Sequence, residues 1–234
     1  MSLKPWTAAV AAFGVFAAVD LFAVATGHDA WRAFSKPSLM PALAAAVVLG
    51  TPQRWMPARI FLVAALLLGA AADTVLLNAD DASFSVGTRL FALGHIAYVA
   101  CFRYVGDDEP GLVQRRPWLV LPYALAWLGA TLVLWPHYGG FLALLVPYSL
   151  LLTGMAAYAL NLVGRFPRRP AILVATGAVL FMSSDTNIAI ARFDPSIAIF
   201  GVQFIIMVLY IAGQALIAGG IAWGLDRREA ALKS

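Results

Sequence analysis

Residues 56–77 read MPARIFLVAALLLGAAADTVLL. Arg59 stands in the first turn, and an unbroken apolar run follows from Ile60 to Ala72. A membrane-spanning helix takes about 20 residues, and this segment supplies them. Asp73 then breaks the run while the apolar character continues to Leu77. A charged side chain at the centre of a membrane helix costs at least about 2.5–3.5 kcal/mol. Such a residue must face other helices or a wet cavity. The one segment therefore predicts a membrane helix and a polar interior shared with neighbouring helices.

The rest of the chain repeats the pattern. Of 234 residues, 62% are hydrophobic and 12% charged, and the mean hydropathy is +0.83. Soluble domains carry about twice that share of charge, so a soluble enzyme and a disordered chain are excluded. The apolar stretches are continuous rather than alternating, which excludes a membrane β-barrel. The expected fold is an all-α polytopic membrane protein of eight transmembrane helices, a single transmembrane domain over residues 1–234. The spans are read as Trp6–Thr26, Pro37–Gly50, Met56–Leu77, Ser85–Val105, Trp118–Trp135, Gly139–Val163, Pro170–Ala191 and Ile199–Leu225. Prolines 37, 57, 117 and 170 fall near these starts, where a missing N–H is tolerated. Pro147 falls inside the sixth span and predicts a kink. The first span lacks a small-residue cleavage site and reads as a retained helix rather than a signal peptide.

Charge sets the orientation. Lys4, Arg54, Arg59, Arg103, Arg115, Arg116, Arg165, Arg168, Arg169, Arg227, Arg228 and Lys233 fall on one side, against Arg32, Lys36, Arg89 and Arg192 on the other. Twelve against four of the 16 basic residues places both termini in the cytoplasm. The net charge of +4 is thus a matter of topology, and no nucleic-acid partner is expected. Cys101 is the single cysteine, so no intrachain disulfide can form. Usage of Ala, Arg and Gly over Lys points to a bacterial plasma membrane. A weak internal repeat suggests a parallel four-plus-four arrangement. Asp73-Thr74 recurs as Asp185-Thr186, and Tyr98 as Tyr210, both 112 residues later.

The polar residues inside the spans are the candidate site. At about 1.5 Å of rise per residue, Asp73 lies about 6 Å below the outer end of its span. Asp20 and Asp185 lie about 9 Å deep, and His95 and Tyr148 about 15 and 14 Å. All fall in the outer half of the membrane, with Lys36 and Arg192 above them. The expected shape is a polar funnel opening outward, with Asn187, Tyr98 and Tyr210 on its walls and Gln214 as its floor. Asp20 also fits a plain pairing with Lys36, His95 a hydrogen-bonded interior histidine, and the three tyrosines ordinary packing. Asn78, Asp80 and Asp81 read as a solvated loop, as does the run from Asp107 to Glu109. No zinc-ligand spacing, P-loop or nucleophile elbow is present.

Several segments taken together resemble a family. Ser35-Lys36-Pro37-Ser38-Leu39-Met40-Pro41, Gly69-Ala70-Ala71-Ala72-Asp73-Thr74, Gly94-His95-Ile96-Ala97-Tyr98, Phe181-Met182-Ser183-Ser184-Asp185 and Tyr210-Ile211-Ala212-Gly213-Gln214-Ala215-Leu216-Ile217 are similar in order and spacing to the YhhN-like membrane proteins. Ala72 stands where that family often has glycine. The family includes lysoplasmalogenases, so the resemblance implies cleavage of the vinyl ether bond of a lysophospholipid substrate within the bilayer. The products would be a fatty aldehyde and glycerophosphoethanolamine or glycerophosphocholine.

Vinyl ether hydrolysis begins with protonation of the β carbon and passes through an oxocarbenium ion. It needs one protonated carboxyl group and one carboxylate, as glycoside cleavage does. Asp73 and Asp185 are expected to form this pair and to share one proton. His95 and Tyr98 would orient the acid or the water. Lys36 and Arg192 would hold the phosphate, with Asp20, Tyr148, Asn187, Tyr210 and Gln214 contributing to substrate binding. No metal or organic cofactor is required. The rival readings are a membrane transporter and a lipid-binding protein that uses intramembrane carboxylates. The oligomeric state is left open.

Overall fold

A backbone amide in lipid has no water to bond, so a chain this apolar must close its hydrogen bonds within each segment. The computed structural model describes residues 4–233, so residues 1–3 and 234 of the expected 1–234 unit lie outside the described residues. Among the described residues no β-strand forms, and nine α-helices do. They are α1 (Pro5–Thr26), α2 (Asp29–Gly50), α3 (Met56–Val75), α4 (Asp81–Val105), α5 (Leu112–Arg115), α6 (Leu121–Leu134), α7 (Leu142–Leu160), α8 (Arg168–Phe193) and α9 (Val202–Lys233). All but the four-residue α5 belong to segments long and apolar enough to cross a membrane, eight in total. The fold is the expected all-α, multi-pass membrane architecture.

The boundaries differ from the sequence reading in three informative places. The second span does not begin at Pro37. α2 starts eight residues earlier, at Asp29, and carries Pro37 and Pro41 inside it. Serine hydroxyls bond back to carbonyls beside the first proline, Ser35 to Trp31 O (2.9 Å) and Ser38 to Phe34 O (2.8 Å). Such bonds help a membrane helix tolerate proline. Lys36 consequently lies within the helix, not at its rim. Asp81 is the first residue of α4 rather than part of a loop, and Asp80 caps that helix by accepting from the Ser83 N–H at 2.8 Å. The last helix continues past Leu225 to Lys233.

Neighbours in sequence are neighbours in space through α1, α2, α3 and α4. α7 packs on α4, α8 on α7 and α9 on α8, and α9 returns to α1 and α2. This succession closes a ring, while α6 stands outside it against α7 and α8. The most extensively packed pairs are α3–α4 and α8–α9, the two that the 112-residue offset relates. α8 and α9 approach so closely that a Cβ added at Gly177 would sit 2.6 Å from the Gly213 carbonyl oxygen. Small residues of this kind let membrane helices meet backbone to backbone. The contact holds Asp185 of α8 and Tyr210 of α9 on one rigid pair of helices. α6 buries only Thr131 and Leu134.

Candidate active site

Asp73 comes from the last turn of α3 and is 3% exposed. Lys36 of α2 places its Nζ 3.4 Å from Asp73 Oδ1, and the Tyr210 hydroxyl of α9 donates to Oδ2 at 2.5 Å. Lys36 is itself 8% exposed, so the ion pair is an interior one. Asp20 of α1 is fully buried and accepts from the Ser35 hydroxyl at 3.1 Å.

Asp185 of α8 is held differently. Its Oδ2 accepts from the Tyr148 hydroxyl of α7, and the Tyr148 oxygen lies 3.3 Å from His95 Nε2 of α4. Because the tyrosine proton points to Asp185, the imidazole must donate, which assigns its proton to Nε2. The chain of donors runs His95 to Tyr148 to Asp185. His95 Nδ1 and Asp185 Oδ1 are buried with no hydrogen-bond partner. Among the described residues, no cation forms an ion pair with Asp185.

Phe181 fills the space between these groups. Its ring centroid lies 5.2 Å from that of His95 and 5.5 Å from that of Tyr210. Tyr98 also meets Phe181 by its edge and donates its hydroxyl to Gln214 Oε1. The two aspartates thus face the same interior, but no hydrogen bond joins them. Each has its own tyrosine, and their coupling is electrostatic.

A cavity of about 290 Å3 opens beside Asp185, between α4, α6, α7 and α8. Thr88, Trp127, Thr131, Tyr148, Ser149, Thr153, Ser183, Thr186 and Asn187 supply its polar wall, and Phe91, Leu152 and Met182 its apolar wall. Asp185, Tyr148 and Asn187 line it. Asp73, Lys36, His95, Tyr98, Tyr210, Gln214 and Asp20 do not. The Trp127 indole donates to Ser149 at 3.0 Å, and Asn187 Nδ2 donates to the Ser183 carbonyl at 2.8 Å.

At the end of the bundle that carries Arg192, where an open funnel is expected, aromatic residues cluster. Phe84, Leu134, Tyr138 and Leu145 form a separate apolar cluster with Phe141 and Phe193 across that end. Arg192 lies over the Phe84 ring at 4.2 Å and pairs with Asp81. Neither cation expected to hold phosphate stands free at a mouth: Lys36 is taken up by Asp73, and Arg192 by Asp81. The sequence reading did not place Thr88, Trp127, Thr131, Ser149, Thr153, Ser183 or Thr186 at the site. Hydroxyl groups inside apolar spans, one of them adjacent to Tyr148, were the available signal. Among the described residues, no group of three or more His, Cys, Asp or Glu side chains is placed to hold a metal ion.

Comparison with known proteins adds a family to this geometry. The YhhN family model matches residues 31–221, which includes every helix that contributes a site residue except α1. A protein of Mycobacterium tuberculosis named lysoplasmalogenase is 30% identical over 209 residues, covering 86% of this chain and 74% of its own length. A protein of the same name from Mycobacterium bovis is equally similar over the same shares. No solved structure matches the chain. A family match of this length, running through both aspartates and the helices that hold them, shows that the chain belongs to the YhhN family.

Proposed function

We propose that the protein is a lysoplasmalogenase. It hydrolyses the vinyl ether bond of a lysoplasmalogen to a fatty aldehyde and glycerophosphoethanolamine or glycerophosphocholine. The observation that carries the reading is Asp185, a residue that lines the cavity and keeps one carboxyl oxygen, Oδ1, buried with no partner. The mycobacterial relatives named lysoplasmalogenase supply the substrate class.

The residues divide the chemistry as follows. Asp185 delivers a proton from Oδ1 to the β carbon of the vinyl ether. Tyr148, oriented by His95, donates to Oδ2 and stabilises the carboxylate which that transfer leaves. The oxocarbenium ion forms against the new carboxylate, with the Asp73 charge adding to the field. Preorganised charge of this kind is a large part of enzymatic stabilisation. Water then adds to the cationic carbon and returns its proton to Asp185. The hemiacetal collapses to aldehyde and alcohol, leaving the enzyme as it began. Lys36 keeps Asp73 paired, so Asp185 is the carboxyl group left without a cation and is the proton carrier. Tyr98, Tyr210 and Gln214 position the aromatic centre and Asp73.

The protein works in a bacterial plasma membrane with both termini cytoplasmic and the cavity in the outer half. Twelve of the 16 basic residues on the terminal side support this orientation. The test is aldehyde release by purified protein in micelles. Lysoplasmenylethanolamine should yield aldehyde, and the acyl lysolipid with the same head group should not. Binding of the lipid without product would replace the enzyme with a carrier or lipid-binding protein.

A further inference from the structure

The cavity is too short for the lipid chain it would serve, and its wall has an opening. Along α7 the lining runs from Leu145 to Thr153, and along α8 from Met182 to Ala189. Eight and seven steps of about 1.5 Å give a depth of roughly 11–12 Å. A chain that fills one leaflet needs about 15 Å, half of the hydrocarbon core. Only part of the needed length lies inward of Asp185, since Thr153 is five residues past Tyr148, or about 7.5 Å. A chain with its first carbons at Asp185 must leave the bundle sideways.

The seam between α6 and α8 provides that route. Ala126 lines the cavity from α6 and is exposed, and α6 stands outside the ring of packed helices. Ser183 and Asn187 line it from α8 and are also part exposed. Elsewhere the cavity is backed by the ring of packed helices, and its end nearest Arg192 carries the aromatic cluster.

We infer that the α6–α8 seam is a lateral portal that takes the single hydrocarbon chain of a lysolipid directly from the bilayer, with the chain emerging past Ala126 and Ala130. The inference rests on the proposed lysolipid reading. It adds that the site samples the membrane plane rather than the aqueous face, and that chain carbons beyond the portal lie in lipid. Side chains at Ala126 and Ala130 then decide which chains fit.

The experiment separates the portal from the chemistry. The probe is a saturated alkyl-ether lysophospholipid, which cannot be hydrolysed at a vinyl ether, carrying a photoactivated diazirine midway along its chain. It is cross-linked to the full-length protein in lipid nanodiscs, and the adducts are mapped by mass spectrometry. The portal requires adducts concentrated on residues 121–134 and 182–190. Ala130→Trp should cut their yield about tenfold, the worth of roughly two buried methylene groups. Leu128→Trp, on the exposed side of α6, should leave it unchanged. Ala126→Trp is the second seam variant, and detergent melting curves confirm that each variant folds. Adducts spread over other helices, no adducts, or an unaffected yield in both seam variants would overturn the portal. Seam adducts in a protein that releases no aldehyde from lysoplasmalogen would overturn the enzymatic reading and leave the portal standing.

Discussion

Replacing Lys36 with methionine should destabilise the protein, and replacing Asp73 with asparagine in the same chain should restore it. The ammonium and carboxylate are 3.4 Å apart, with side chains 10% and 4% exposed. At an effective dielectric constant of 20, two charges at that distance attract by about 5 kcal/mol. Removing one partner of a buried pair typically costs about 3–5 kcal/mol, because the other charge is stranded. Tyr210 still donates to Asp73 at 2.5 Å, which puts the expected loss at the lower end, about 3 kcal/mol. For a chain of this size that lowers the unfolding midpoint by roughly 6–12 °C. Lys36→Met with Asp73→Asn removes both members of the ion pair, and the amide can still accept from Tyr210, so the double variant should melt within a few degrees of the parent. Cys101 supplies the probe, being the only cysteine and fully buried. Its labelling by a thiol-reactive fluorophore during heating reports the opening of the core. A Lys36→Met protein as stable as the parent, or a double variant as weak as the single, would refute the interior ion pair.

Three further outcomes are expected. Tyr148→Phe removes the donor to the Asp185 carboxylate and should lower kcat roughly 10- to 100-fold, the usual worth of a hydrogen bond to a charged group, with KM little changed. A rise in KM alone would make Tyr148 a binding residue. Arg192→Ala should leave KM for the lysolipid unchanged, since its guanidinium is already spent on Asp81 and the Phe84 face; a large increase would return it to phosphate binding. Asp80 accepts from both the backbone N–H and the hydroxyl of Ser83, and these bonds hold its pKa below the ordinary aspartate value. A depressed carboxyl pKa stabilises the fold above the unfolded value and loses that effect as pH falls through the folded one. Asp80→Ala should therefore melt lower than the parent at neutral pH, and the gap should close in acid.

The all-α class and the eight spans were readable because lipid imposes a single rule on every segment: about twenty apolar residues, backbone satisfied from within. The same rule made Asp73, Asp185 and His95 visible, since nothing excuses such residues in a membrane helix except an interior task. What pairs with what was not readable. Lys36 was placed at a rim because Pro37 looked like a helix start, but α2 runs through both of its prolines. Arg192 looked free because Asp81 looked like loop, whereas Asp81 opens α4. The cavity wall was hidden for a different reason. Thr88, Ser149 and Ser183 carry hydroxyls that can bond their own helix carbonyls, as Ser183 does to Val179 at 2.9 Å. Such residues cost little in an apolar span, so the hydroxyl beside Tyr148 is a faint signal and no regular spacing marks the others. Nor could spacing show that the two aspartates sit on separate tyrosines rather than on one shared proton.

The central claim is that Asp185 protonates the β carbon of a vinyl ether. The most direct measurement is turnover of lysoplasmenylethanolamine by the purified protein in heavy water enriched in oxygen-18. The account predicts a fatty aldehyde with one deuterium on the carbon next to the carbonyl and the heavy oxygen in the carbonyl itself. The glycerophosphoethanolamine should keep its original oxygen, and Asp185→Asn should yield no product. Aldehyde without the deuterium, heavy oxygen in the glycerol product, or undiminished turnover by Asp185→Asn would contradict it.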